Sequence, residues 1–283
     1  MNTETFLTTA SGVVMPRILY GTAWKKDHTA ELVETALEQG FRGIDTACQP
    51  KHYFEAGVGD GIRKAFMRGL LTREQLYLQS KFTPLNGQDP LRIPYDTRAP
   101  LADQVGQSCA ASLKNLHTDY LDGLILHSPL PDRSHLVQVW RAMESLVKAG
   151  EVRQLGISNC YDAELLAFLF EQSEIKPRLI QNRFYADTGY DVEIRDFCTQ
   201  HAMIYQSFWT LTANPQILAS SRVLALASLY QRSPAQVYFR YLTQIGIVPL
   251  TGTTSTQHMQ EDLAIFDFRL SELECQTLAE YFA

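Results

Sequence analysis

Residues 139–159 read VWRAMESLVKAGEVRQLGISN and hold one complete structural unit. Apolar side chains at Val139, Trp140, Met143, Leu146 and Val147 recur at the spacing of one helix face, which predicts a helix over Leu136 to Ala149. Gly150 stands where a C-terminal cap belongs. The run Val152 to Ser158 that follows is long enough for a strand and too short for a helix. It ends on two polar residues, Ser158 and Asn159.

The same alternation continues in both directions. Strands are expected over Arg17 to Tyr20, Gly43 to Asp45, Leu76 to Lys81, Leu121 to His127, Leu179 to Arg183, Met203 to Ser207 and Ile247 to Leu250. Helices are expected over Thr29 to Gln39, Val58 to Arg68, Leu101 to Leu116, Asp162 to Gln172, Val192 to His201, Pro215 to Gln231, Pro234 to Gln244 and Gln257 to Phe266. Gly40 and Gly69 follow two of them as caps. Strands alternating with helices predict parallel pairing through crossover helices, and eight such units close a barrel. The expected fold is therefore α/β, a single-domain (β/α)8 TIM barrel over residues 1–283. A doubly wound open sheet would carry a G-x-G-x-x-G turn after its first strand. Gly57, Gly59 and Gly61 follow no apolar strand directly and the last is misplaced, so they do not make that turn. No repeat or linker divides the chain.

With 45% apolar and 20% charged residues, collagen-like, disordered and coiled-coil classes are excluded. The net charge of −6, with no basic stripe, argues against nucleic acid as a partner. No apolar run is long enough to span a bilayer and the N-terminus lacks the pattern of an export signal, so a cytoplasmic protein without membrane association is expected. Cys48, Cys109, Cys160, Cys198 and Cys275 form no C-x-x-C pair, which suits buried, reduced thiols, and no histidine spacing suggests a metal.

In a barrel of this kind, polar residues at the C-terminal ends of strands point into the ligand-binding mouth. Asp45, Lys81, His127 and Asn159 occupy such ends. A carboxylate, an ammonium and an imidazole converging there shift one another's proton affinities, and the nearby phenol Tyr53 becomes a useful acid beside a cation. Asp45 and Lys81 could also be a structural ion pair, and Lys81 a Schiff-base nucleophile. The loop Phe82 to Pro100 carries Pro84, Pro90, Pro94 and Pro100 and should lie on the mouth side, where it would shape substrate choice.

These segments resemble the aldo-keto reductases, NAD(P)-dependent (β/α)8 barrels. GFRGIDTA (40–47) is similar to the family's aspartate segment, HYFEAGVG (52–59) to its tyrosine segment, SKF (80–82) to its lysine segment and DYLDGLILHSP (119–129) to its histidine segment. Residues 139–159 are similar to the helix and strand that deliver its Ser-Asn pair. The resemblance implies that Tyr53 protonates a carbonyl oxygen, Lys81 lowers its pKa, Asp45 holds Lys81 and His127 orients the carbonyl. It implies that Ser158, Asn159 and Gln181 bind the nicotinamide carboxamide and that Phe208 stacks on the ring. Further cofactor contacts fall on Thr22, Asp45, Trp209, Leu211, Thr251, Thr253, Ser255, His258, Glu261 and Asp262. Trp24 and Phe82 would line the substrate pocket or serve as core aromatics.

Two departures stand out. Tyr53 follows Asp45 by eight positions, further than the family's usual spacing, and the sequence is similar to a branch with a QPKHY-type insertion. His52 is the neighbouring alternative for the acid. In PLTGTTSTQHMQED (249–262), Leu250 stands where the family's phosphate-gripping lysine would be. The resemblance implies NADPH, with NADH as the alternative, and a small-molecule carbonyl as substrate of a monomer. Some barrels of the family are non-catalytic, cofactor-binding regulatory proteins, which is the rival to catalysis.

Overall fold

The computed structural model describes residues 4–282. Its eight-stranded barrel is formed by β3 (Leu19–Gly21), β4 (Gly43–Asp45), β5 (Tyr77–Phe82), β6 (Gly123–Leu126), β7 (Leu155–Ser158), β8 (Leu179–Arg183), β9 (Ile204–Phe208) and β10 (Val248–Thr251). Every neighbouring pair is parallel, and β10 closes on β3. Helices α1 (Thr29–Gln39), α2 (Glu55–Met67), α3 (Leu101–Leu116), α4 (Arg133–Lys148), α5 (Ala163–Gln172), α6 (Val192–Gln200), α7 (Pro215–Leu218), α8 (Ser221–Tyr230), α9 (Pro234–Gln244) and α10 (Thr256–Leu263) surround it. Strands buried on both faces lose the simple inside-outside alternation of hydropathy, and GLIL of β6 is buried throughout.

The barrel interior is stratified. Its floor is apolar, with Leu19, Tyr77, Ile125, Leu179 and Val248 in one cluster. Above it the amides of Gln79, Gln181 and Gln206 bond to one another and to Asp45. Gly123 makes room for this layer, since a Cβ there would lie 2.8 Å from the Tyr77 hydroxyl. The larger apolar core lies outside the strands, under the helices, and includes Trp140, Phe41 and Leu242.

Three features differ from the sequence expectation. An antiparallel hairpin, β1 (Phe6–Thr8) with β2 (Val14–Pro16), precedes the barrel. Its Val13 and Met15 pack on the floor cluster. Strands of three residues are too short to show a period. The helix expected over Pro215 to Gln231 divides into α7 and α8, because Ser220 adopts an extended conformation and accepts the Val223 N–H as a new N-cap. A final helix, α11 (Glu272–Ala279), was not anticipated, although Ser271 and Glu274 form a reciprocal capping box that the spacing S-x-x-E signals.

Candidate active site

Asp45 lies opposite Gln79 in the β4–β5 register, and Lys81 follows Gln79 on the same inward face. The Lys81 ammonium therefore reaches the carboxylate, 2.7 Å from each oxygen, and donates to the Thr46 carbonyl at 2.9 Å. Both residues are almost wholly buried. A buried ion pair holds only when its remaining hydrogen-bonding capacity is met. Asp45 Oδ1 meets it by accepting from Gln79 at 2.6 Å and Gln181 at 2.9 Å. Burial pulls the Lys81 ammonium toward deprotonation, but Asp45 and Tyr53 outweigh it and hold its pKa above the ordinary lysine value. A charged ammonium has no lone pair with which to attack a carbonyl, so nothing here favours the Schiff-base chemistry.

The residues between Asp45 and Tyr53 fold into a compact turn in which His52 and Tyr53 both donate their N–H groups to the Gln49 carbonyl. Lys81 Nζ lies 5.1 Å from the centre of the Tyr53 ring, and the ring meets His127 edge-on with centroids 5.9 Å apart. Burial pushes the phenol above its usual value, Lys81 pulls it down and Asp45 pushes it up again. Lys81 does lower the phenol's pKa, but desolvation outweighs the cation and the net shift is upward. Tyr53 is accordingly a neutral phenol that keeps its proton at pH 7. His127, at the end of β6, is held well below the usual histidine range by burial, then by Lys81 and His52. It is a neutral imidazole whose Nδ1 lies 2.7 Å from the Thr83 hydroxyl.

Asp45, Tyr53 and His127 face a mouth cavity of about 370 Å³ that is also lined by Trp24, Ser158, Asn159, Gln181 and Phe208. Asn159 adopts a left-handed conformation, φ 54°, and donates its amide to the His127 carbonyl at 2.8 Å. Ser158 donates its hydroxyl to the Gln181 carbonyl at 2.6 Å. Beside the mouth runs a groove of about 1260 Å³ between β10, the segment after β9 and the start of α1. Leu211, Thr251, Thr253, His258, Glu261 and Asp262 line it. Trp24, Trp209 and Leu250 border both spaces.

Three of the expected residues line neither space. Phe82 is a core residue, 1% exposed and packed on Tyr95, because it follows the inward Lys81 and so turns toward the helices. Thr83, the next inward residue, faces the mouth instead. Ser255 uses its hydroxyl as the N-cap of α10, accepting from the His258 N–H. Thr22 donates its hydroxyl to the Asp45 carbonyl. Trp24 is 58% exposed and stacks on His52 with centroids 4.0 Å apart, so it is no core aromatic. Two cations went unnoticed in the sequence. Lys25 is buried in the groove with its ammonium on the Gly252 carbonyl, and Arg183 ends β8 at the mouth. Lys25 adjoins Trp24 at the end of the first barrel strand, the one local signal that could have found it.

The groove fits a nicotinamide dinucleotide in kind. It exceeds the roughly 300–1,000 Å³ of ordinary small-molecule sites. It carries a buried ammonium suited to phosphate and opens directly onto the proton-bearing residues. Residues 17–282 match the profile of the Aldo/keto reductase family. The chain belongs to that family. It is an oxidoreductase of the aldo-keto reductase type, a family that works with nicotinamide cofactors. Glyoxal reductase from Bacillus subtilis is 31% identical over 246 residues, covering 87% of this chain and 80% of that protein. NADP-dependent D-sorbitol-6-phosphate dehydrogenase from Malus domestica is 27% identical over 305 residues, covering 96% and 92%. The aldose reductase structure from Schistosoma japonicum superimposes with a TM-score of 0.82 at 24% identity, over 98% of this chain and 91% of that one. The last likeness shows the shared barrel fold.

Proposed function

We propose that the protein reduces the carbonyl group of a small aldehyde or ketone to an alcohol, as a cytoplasmic monomer, using a hydride from NADPH and a proton from Tyr53. The observation that carries this reading is the junction at Trp24, Trp209 and Leu250, where the dinucleotide-sized groove meets the cavity lined by Asp45, Tyr53 and His127, with Lys81 buried behind Asp45 and Tyr53. The bound coenzyme supplies the hydride. Ser158, Asn159 and Gln181 hold its carboxamide, Phe208 faces its ring, and Lys25 with Thr253 and His258 holds its phosphates. The Malus relative's NADP dependence supports NADPH, and Leu250 in place of a lysine keeps NADH as its competitor.

The chain's own chemistry is proton delivery. Tyr53 donates its phenolic proton to the carbonyl oxygen as charge grows there, and the Lys81 ammonium stabilises the phenolate left behind. Asp45 fixes that ammonium in place. His127, neutral and anchored by Thr83, orients the carbonyl oxygen through its other ring nitrogen. Solvent returns the proton to Tyr53.

Loss of reduced-nicotinamide absorbance with a panel of aldehydes, glyoxal and methylglyoxal included, tests the reading for both coenzymes. Tyr53→Phe should lower kcat by roughly 10²–10⁴-fold while coenzyme affinity persists. Tight coenzyme binding without turnover in either protein would replace this reading with a non-catalytic, cofactor-binding barrel.

A further inference from the structure

On β8, Gln181 points inward to Asp45, while Asn182 points outward and donates to Asp191. Arg183, two residues beyond Gln181, shares the inward direction one layer higher and lines the mouth cavity together with Tyr53 and His127. Its guanidinium carbon lies 4.2 Å from the centre of the Trp209 ring and 5.1 Å from that of Tyr185. Aromatic contact uses the guanidinium's faces and leaves its N–H donors, which lie in the plane, free for a ligand.

Those donors have no protein acceptor among the described residues. Among the described residues the Arg183 side chain makes no hydrogen bond or ion pair, and its backbone N–H alone is engaged, by the Tyr161 hydroxyl at 3.1 Å. Among the other stacked arginines, Arg133 over Phe168 and Arg232 over Phe268 show no side-chain partner either, but neither lines the mouth cavity, and others are answered. Arg73 and Arg153 both lie over Tyr120, and both bond to the Asp122 carboxylate, at 2.9 and 3.1 Å. No free carboxylate faces Arg183 from the mouth cavity either. Asp45 lines it but is bound to Lys81, and the two histidines there, His52 and His127, are not anions. A half-buried cation in a cavity whose one carboxylate is already matched favours an anion as occupant.

We propose that Arg183 is a specificity residue that clamps an anionic group, a carboxylate or a phosphate, carried by the carbonyl substrate. The proposal rests on the reductase reading above and narrows it to small aldehydo or keto acids and phosphorylated carbonyl compounds. A planar guanidinium matches either oxyanion with paired hydrogen bonds, and a cavity of about 370 Å³ suits a short molecule that spans from Tyr53 to Arg183.

The test uses substrate pairs that differ in charge: succinic semialdehyde against butanal, and glyceraldehyde 3-phosphate against glyceraldehyde. Wild type should favour the anionic member by roughly 10-fold or more in kcat/KM, and the better pair identifies the oxyanion. Arg183→Met should lower kcat/KM for the anionic member by roughly 10–100-fold, mainly through KM. The uncharged member and the coenzyme dissociation constant should not change. Equal losses on both members, no preference in wild type, or weakened coenzyme binding in Arg183→Met would each overturn the proposal, the last by placing Arg183 on the coenzyme. Calorimetric titration with succinate and with inorganic phosphate separates this outcome from failure of the reductase reading. Saturable binding lost in Arg183→Met supports the clamp even where no aldehyde is reduced, and no binding in wild type counts against it.

Discussion

Asp262 shows what burial does to a carboxyl with a single strong partner. The Thr251 hydroxyl donates to it at 2.7 Å, yet burial dominates and the group is pushed up to about 6 from an ordinary 3.8. A carboxyl with a raised folded-state value contributes full stability below about pH 4 and loses it as the pH rises through about 6. The gap bounds that loss at about 3 kcal/mol. Asp262→Asn keeps an acceptor for Thr251 and removes the titration. Urea midpoints measured from pH 4 to 7.5 should therefore fall more steeply in wild type than in the variant. Parallel curves would show that Asp262 ionises as an ordinary carboxyl. The same competition between burial and partner decides Tyr53, where burial prevails over Lys81, and Lys81, where its partners prevail over burial.

At the scale of the element, α2 explains the glycines that in sequence come close to a nucleotide-binding turn. A Cβ on Gly59 would lie 2.0 Å from the Asn115 carbonyl oxygen, and one on Gly61 would lie 2.5 Å from that of Ala30. The glycines thus let α2 lie close against α1 and the end of α3, and they take no part in the groove. Gly106 in α3 is the internal control, because nothing lies within 4 Å of its added Cβ. Gly59→Ala should destabilise by about 1–3 kcal/mol, more than the roughly 1 kcal/mol that alanine gains in a helix. Gly106→Ala should stabilise by about 0.5–1 kcal/mol. Denaturation midpoints of the two variants moving in the same direction would contradict this account of the helix packing.

At the scale of the molecule, the loop from Phe82 to Pro100 is tied down rather than trailing. Tyr95 donates its hydroxyl to the Thr83 carbonyl at 2.8 Å, Gln88 donates to Cys48 and Thr83 carbonyls, and Gln49 donates to the Gly87 carbonyl at 2.7 Å. Gly87 reaches the mouth, and Arg92 and Pro94 line the neighbouring cleft beside Tyr53. Replacing Asp89–Pro94 by a short Gly-Ser link should change the relative kcat/KM across an aldehyde panel by severalfold, with coenzyme affinity retained. Unchanged relative rates would remove the loop from substrate selection.

What the sequence by itself determined rests on short-range order. Helical spacing, a capping glycine and a short apolar run recur over a few residues each, so eight units and their closure into a barrel could be read without coordinates. The positions of Asp45, Tyr53, Lys81 and His127 followed from their places at or just beyond strand ends. The brief hairpin at the start left no such trace, and neither did the break at Ser220. Only the tertiary structure decided which groups face one another: Asp45 meets Lys81 from 36 positions away and Gln181 from 136. It likewise decided that Phe82 turns to the core, that Lys25 enters the groove and that Arg183 stands at the mouth without a carboxylate. Burial, proton affinity and the lack of a partner are properties of a surrounding shell assembled from distant segments, and no local pattern of residues encodes that shell.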